Sequence, residues 1–416
     1  MKRASFINLF VLNTYWIGLS FMWNSLHIII LPAVLLKYVP ETLKNTYLGL
    51  LTFVGLIIAM TVQPISGWFS DRWRSRWGRR RPLITLGTAL DFIFLAFLGW
   101  AGGLVWLAIG YIGLQFTSNI AHGPVQGLLP DTIPPEQHGV TSGLKNLMDM
   151  AGLVVSSLLM GRLLDPQTAD PLKPVLVVAA VLLVCALVTI LGVREAPSQG
   201  STSERPQPSQ SPESKTLYRD LLSVFRHRPY AWLIASRFVF LLGIYDIQVF
   251  AQYFIRDVIP TPNPVKLTGD LLAAITLGLI AFALGGGWLG DRFGHRRMLY
   301  VASGVSAVGC LLLPMVRSPN TMLFYGGIVG MGVGLFLTSN WALLNRMAPA
   351  TLAGAYLGLT NLATAGAGAV GRLGGPVIDI LNNANPGAYS GYTAMFIFGA
   401  VCTAASALLL SPVRTD

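Results

Sequence analysis

Twelve apolar stretches, each long enough to cross a bilayer and separated by short polar intervals, dominate this chain of 416 residues. They lie near residues 9–36, 45–70, 81–101, 104–130, 138–163 and 173–193, and then near 230–256, 268–290, 297–316, 321–346, 352–381 and 391–411. A hydrocarbon core about 30 Å thick requires roughly 20 mostly apolar residues per helix. In lipid, every backbone N–H and C=O needs a partner within the protein, which for single stretches of this length means a helix. The pattern therefore predicts an all-α membrane protein of twelve transmembrane helices. Charge content agrees, because only 11% of the residues are charged, against about a quarter in a chain that must cover itself with a water-facing surface. Pro32 predicts a kink in the first stretch, since proline removes one helical donor.

The formal charge of +11 raises the question of nucleic acid. A nucleic-acid binder concentrates Lys and Arg on one folded face, whereas here they sit in the short intervals, the pattern by which membrane topology is set. One side of the bilayer receives Lys2, Arg3, the arginines from Arg72 to Arg81, the middle interval, Arg292, Arg296, Arg297, Arg346 and Arg414. The other receives only Lys37, Lys44, Lys173, Arg256, Lys266 and Arg317. Both termini are predicted to be cytoplasmic in a cell (inner) membrane, and no nucleic-acid partner is expected. Cys185, Cys310 and Cys402 each fall within an apolar stretch, which is no disulfide framework. The first stretch runs well past the short core of a signal peptide and reads as a retained helix.

Residues 196–216, rich in Ser, Pro and Gln, cannot bury enough apolar surface to order themselves. Behind them Leu217, Leu221, Leu222, Val224 and Phe225 alternate with basic residues, a pattern suited to a short helix on the inner membrane surface. The predicted domains are accordingly 1–195, a linker at 196–228, and 229–416. Motifs recur across that linker. Gly67-Trp68-Phe69-Ser70-Asp71-Arg72 returns as Gly287-Trp288-Leu289-Gly290-Asp291-Arg292, and Thr117-Ser118-Asn119 as Thr338-Ser339-Asn340. Gly139, Gly143, Asn146 and Leu147 return as Gly354, Gly358, Asn361 and Leu362. Three matches in one order at nearly one offset indicate an internal duplication of six helices.

The loop that carries the first copy, Asp71-Arg72 through Gly78-Arg79-Arg80-Arg81, and its echo at Asp291-Arg292, resemble the signature of the major facilitator superfamily. Its arginine-rich form resembles the loop of sucrose transporters and of the glycoside–pentoside–hexuronide symporters. The segment from Gly123-Pro124 to Leu129-Pro130-Asp131 resembles a sucrose-transporter segment of the fourth helix. The resemblance implies the major facilitator fold of two pseudo-symmetric six-helix bundles, alternating access about a midplane site, and a sugar or glycoside as solute. It also implies a gate at Asp71, Arg72, Arg79, Arg80 and Asp131, with Asp291 and Arg292 as the second copy, and Asp71 beside the eleventh helix. Two departures stand out. Gln115 and Gln126 occupy the fourth helix, where sucrose symporters carry an Asp and an Arg, and the second helix lacks the paired Asp residues of sodium-coupled relatives.

Polar side chains inside apolar helices are costly and so invite functional readings. Trp23, Asn24 and His27 in the first helix, and Tyr245 and Gln248 in the seventh, fall at corresponding depth. With Asn119, His122 and Gln126 of the fourth helix and Asn340 and Trp341 of the tenth, they are the candidate substrate contacts. A sugar needs apolar faces to stack on and many directional hydrogen-bond partners; polar packing between helices needs the same residue types. Asp246 is the leading proton-coupling candidate, its alternative being a fixed salt bridge with Arg237. Asp91 has no local partner, and Asp149 sits at i+4 from Lys145, where the two can neutralise each other. Arg372 and Asp379 fall towards the outer end of the eleventh helix as a possible second gate. No metal-ligand cluster, nucleophile–base pair or phosphate loop is present in the sequence, so neither an enzyme nor a cofactor is expected. The expected function is secondary active transport by a monomer of a small polar solute, with a proton as possible co-substrate. The alternatives are an exporter of amphipathic compounds and a non-transporting sensor on the same fold.

Overall fold

The computed structural model describes residues 4–193, 195, 227–349 and 352–413. The interfacial helix expected at 217–225 lies outside the described residues. Every regular element is helical among those described. The first half holds α1 (Phe6–Leu35), α2 (Lys44–Arg72), α3 (Arg81–Gly99), α4 (Leu104–Thr132), α5 (His138–Leu163) and α6 (Leu172–Gly192). The second holds α7 (Arg228–Val258), α8 (Pro264–Phe293), α9 (His295–Leu312), α10 (Pro319–Met347), α11 (Ala353–Gly371), α12 (Gly375–Ala384) and α13 (Ser390–Leu408).

Eleven described helices are long and apolar enough to span a membrane. The remaining predicted stretch, 352–381, is the pair α11 and α12, interrupted by a 3-10 turn at Arg372–Gly374. Gly371, Gly374 and Gly375 surround that turn, and Pro376 follows it; glycine and proline together weaken a continuous helix there. The break predicted from Pro32 takes the form of a π-helical turn at Ser25–Ile30 just ahead of it. Such a turn inserts one extra residue per loop of helix, and it carries His27.

The helices form two compact units, Met1–Lys44 with Leu51–Ser203, and Asn45–Leu50 with Glu204–Asp416. In the first unit α1 packs on α5 and α6, and α3 packs on α4 and α6. The second unit repeats the scheme, with α7 on α11 and α13 and α9 on α10 and α13. Large apolar side chains such as Leu191, Leu284 and Leu408 are exposed, whereas Ser303, Ser406, Thr88 and Asn340 are buried. Interior Ser303 and Ser406 share a hydrogen bond of 2.9 Å between α9 and α13, and Tyr15 reaches Thr88 at 2.7 Å between α1 and α3. An apolar exterior around hydrogen-bonded polar pairs is the arrangement that lipid favours.

The turn between α2 and α3 is built on Gly78, whose φ is +95°. Both oxygens of Glu195 lie 3.1 Å from the Arg80 amide, and one accepts from the Arg81 amide at 3.1 Å, so this carboxylate caps the amino end of α3. A Cβ on Gly78 would stand 2.2 Å from Glu195 Oε2. Gly78→Ala is therefore expected to lower stability by about 1–3 kcal/mol, the cost of a strained backbone region, with the Glu195 cap displaced. Chemical unfolding in detergent micelles measures it; an unchanged midpoint would show that the turn relaxes freely.

Candidate functional site

The π-turn of α1 and the middle of α4 bring three polar groups of the first unit together. His27 Nε2 lies 2.8 Å from the Tyr111 hydroxyl and 3.1 Å from Gln115 Nε2. Gln115 Nε2 also donates to the Tyr111 hydroxyl at 2.8 Å. The three side chains thus share one hydrogen-bonded cluster between α1 and α4. Trp23 stacks on the imidazole, ring centroids 5.0 Å apart and planes at 20°. Asn119 Nδ2 donates to the Gln115 backbone carbonyl at 2.7 Å and to the Gln115 side-chain oxygen at 3.4 Å. Tyr111 sits four residues before Gln115 on one face of α4. That spacing was its only sequence signal, because a tyrosine in an apolar helix looks like core.

Other predicted contacts of this unit lie apart from the cluster. Asn24 donates to the Ser20 carbonyl at 2.8 Å within its own helix. His122 packs edge-on against Trp16 at 5.1 Å, and Gln126 is exposed. Lys145 lies over Trp16 at 3.9 Å and pairs with Asp149 at 4.0 Å, as their i, i+4 spacing predicts. Asp91 is fully buried between α3 and α4, where Thr117 donates to its Oδ1 at 2.5 Å and Oδ2 has no partner.

In the second unit α7, α10 and α11 converge on a residue that sequence reading treated only as a partner for Asp246. Arg237 is buried; its Nε donates to Thr364 Oγ1 and its Nη1 to Asn340 Oδ1, each at 2.9 Å. Its guanidinium carbon lies 5.0 Å from the Trp341 ring centroid, a cation–π distance. The predicted contacts Asn340 and Trp341 thus stand around a cation, one that costs about 2.5–3.5 kcal/mol to place at mid-helix on insertion scales. Asp246 is buried elsewhere on α7, beside a cavity of about 380 Å³ lined by Leu242, Gly371, Gly374, Met395 and Phe398 among others. Its Oδ1 has no hydrogen-bond partner, and a Cβ on Gly374 would stand 2.2 Å from it. The alternative salt bridge of Asp246 with Arg237 is not formed. Tyr245 and Gln248 are half-buried.

The predicted gate residues form a charge cluster at the end of α2. Arg80, itself buried, pairs with Asp71 at 2.5 Å and through Nε with Asp131 at 2.8 Å, and Arg79 Nη2 reaches Asp131 at 2.6 Å. Gly127 makes room for this, since a Cβ there would stand 2.4 Å from the Arg80 guanidinium carbon. The residues from Gly123 to Asp131 and the arginine loop are therefore two sides of one contact. Arg72 does not join; it lies over Trp68 at 4.0 Å. The duplicated loop places Arg292 near Trp288 at 5.5 Å and pairs Asp291 with Arg346 at 3.2 Å. Here the residue at the end of α10 is a base, where the first unit has the acid Asp131 at the end of α4. Both members are largely exposed, so the pair is worth about 1 kcal/mol at most.

Residues 45–50 at the start of α2 belong to the second unit. Asp379 Oδ1 accepts from Asn45 Nδ2 at 2.7 Å, and Oδ2 accepts from the Thr46 amide and hydroxyl at 2.7 Å each. A buried carboxylate so placed satisfies free N–H groups of a helix start and complements its dipole.

Among known proteins, the family profile described as Major Facilitator Superfamily matches residues 4–372 and again 252–415. The chain is 25% identical over 365 residues to the multi-drug resistance efflux pump PmrA of Streptococcus pneumoniae, covering 87% of this chain and 84% of that protein. It is 24% identical over 259 residues to the sucrose transport protein SUC3 of Arabidopsis thaliana, covering 53% of this chain and 42% of that one. Its fold is similar to that of a bacterial homolog of the human lysosomal transporter Spinster, crystallised inward-facing and unoccupied. That similarity has a TM-score of 0.75 at 15% identity, over 99% of this chain and 100% of the other.

Proposed function

The chain belongs to the major facilitator superfamily, and on that premise we propose that it is a secondary active transporter of a small polar organic solute, a sugar or glycoside, coupled to protons. The observation that carries the solute class is the cluster of Trp23, His27, Tyr111 and Gln115. It offers a stacking face beside three hydrogen-bonding groups, one on the distorted turn of α1 and two on α4. Sugars present alternating apolar ring faces and hydroxyls that such a set recognises. Asp246 is the proton carrier, because it is an isolated carboxyl group beside a cavity, without a hydrogen-bond partner at Oδ1. In this reading the protein acts as a monomer, with both termini cytoplasmic as the distribution of Lys and Arg requires. The division at residues 196–228 separates the two bundles that rock in alternating access.

A second reading, export of amphipathic compounds, is favoured by the similarity to an efflux pump over most of the chain. It is favoured too by the apolar lining of the Asp246 cavity. Proteoliposomes separate the two. The purified chain is expected to accumulate labelled sugars or glycosides under an imposed pH gradient and to lose that uptake when a protonophore is added. Absence of sugar flux, together with drug-dependent quenching of a pH-sensitive dye, would transfer the protein to the exporter reading. Ligand binding without flux of either kind would identify a sensor.

A further inference from the structure

Arg237 is a buried cation in the interior of the second unit. Its Nε and one Nη1 hydrogen are taken by Thr364 and Asn340, both neutral. No carboxylate among the described residues lies within ion-pair distance of it. Asp246, nine residues further along α7, is half a turn out of phase and about 13 Å away along the axis. The remaining Nη1 hydrogen and both Nη2 hydrogens have no acceptor among the described residues. Nη2 is thus the open end of the guanidinium, a charged donor group of the kind that pairs with carboxylates. A second, independent observation sits beside it. Asn340 Nδ2, on the same amide whose oxygen accepts from Arg237, is buried and has no partner. Buried donors left unmade are rare because each carries a desolvation penalty. Two unfilled donor groups of adjacent side chains, with Trp341 stacked against the cation, describe a site built for an anion.

We infer that Arg237, with Asn340 and Trp341, binds a carboxylate group carried by the transported solute. The inference deepens the transporter reading and rests on it: the solute is an organic acid, such as an acidic sugar derivative, rather than a neutral glycoside.

The test uses the full-length purified chain in detergent, titrated with small organic carboxylates, sugar acids among them, each beside its neutral amide. Binding is read by tryptophan fluorescence and by thermal shift. At least one carboxylate is expected to bind saturably and about tenfold or more tighter than its amide. Arg237→Gln is expected to abolish that preference, and Arg237→Lys to retain part of it, because lysine keeps the charge but loses the fork. Should Arg237→Gln fold poorly, Asn340→Asp provides the check. It supplies the missing carboxylate internally, so it is expected to remove the preference while raising thermal stability. The inference is overturned if no carboxylate is preferred to its amide, or if the preference survives in Arg237→Gln or Asn340→Asp. Flux measured on the same preparations keeps the two readings apart. Flux without charge preference defeats the anion site alone, and Arg237-dependent binding without flux defeats transport alone.

Discussion

Replacing Asp246 by Asn is expected to abolish proton-driven accumulation in proteoliposomes while leaving solute exchange intact. The carboxyl group is buried, its Oδ1 lacks a partner, and it borders a cavity of about 380 Å³ whose lining is otherwise mostly apolar. Nothing in that lining would hold the carboxylate as a fixed ion pair, and Arg237 is engaged elsewhere. A group in this setting can take up and release a proton, and coupling requires no more of it than that. Asparagine keeps the shape and cannot exchange the proton, so pumping should fail while exchange, which moves solute in both directions without net proton flow, continues. Accumulation ratios under a pH gradient, set beside counterflow rates, measure the two separately. Pumping at the wild-type level in Asp246→Asn would move the coupling role to Asp91 or Asp149. Asp91 is the more sealed of these, and Asp149 already has Lys145 at 4.0 Å.

Arg80→Met is the substitution expected to cost the first unit most stability. Arg80 is buried between Asp71 and Asp131, and its guanidinium lies against Gly127. Removing one partner of a sealed ion pair costs about 3–5 kcal/mol. Asp71 is half exposed and Asp131 keeps Arg79, so a loss of about 2–3 kcal/mol is the appropriate expectation after solvent screening. Arg72→Met serves as the contrast. That arginine is exposed, over Trp68, and its loss should change stability by less than about 0.5 kcal/mol. Denaturant unfolding of the two variants in one detergent gives the comparison. Equal losses would mean that the cluster acts through total charge rather than through the contacts of Arg80.

The charge cluster at the end of α2 illustrates how far sequence reading reaches. Asp71 was legible because its motif recurs at Asp291, and Arg79, Arg80 and Asp131 because they stand in segments that resemble those of known transporters. Which arginine would hold both carboxylates was not legible. Arg79, Arg80 and Arg81 are consecutive, and the choice depends on the turn at Gly78 and on the space left by Gly127 more than 40 residues away. Glu195, the last residue of the first predicted domain and given no role there, caps α3. In the polar clusters, Trp23 and His27 were identified by their spacing on one helix face, and Asn340 and Trp341 by duplication and chemistry. Tyr111 and Arg237, on which those clusters turn, became visible only through their partners. Gln126 had the right chemistry and depth but is exposed.

Length and patterning of apolar segments are local properties that lipid reads one helix at a time, and they alone determined a helical membrane protein of duplicated halves. The positions of loops, the internal repeat and the motif residues followed from the same local text. Pairing of polar groups is different, because it depends on which helix faces meet. Only the packed structure decided that His27 meets Tyr111, that Asp379 caps the start of α2, and that Arg237 is held by the neutral side chains of Thr364 and Asn340. A hydrogen bond forms over about 3 Å, and no pattern along the chain specifies distances that small between residues a hundred positions apart.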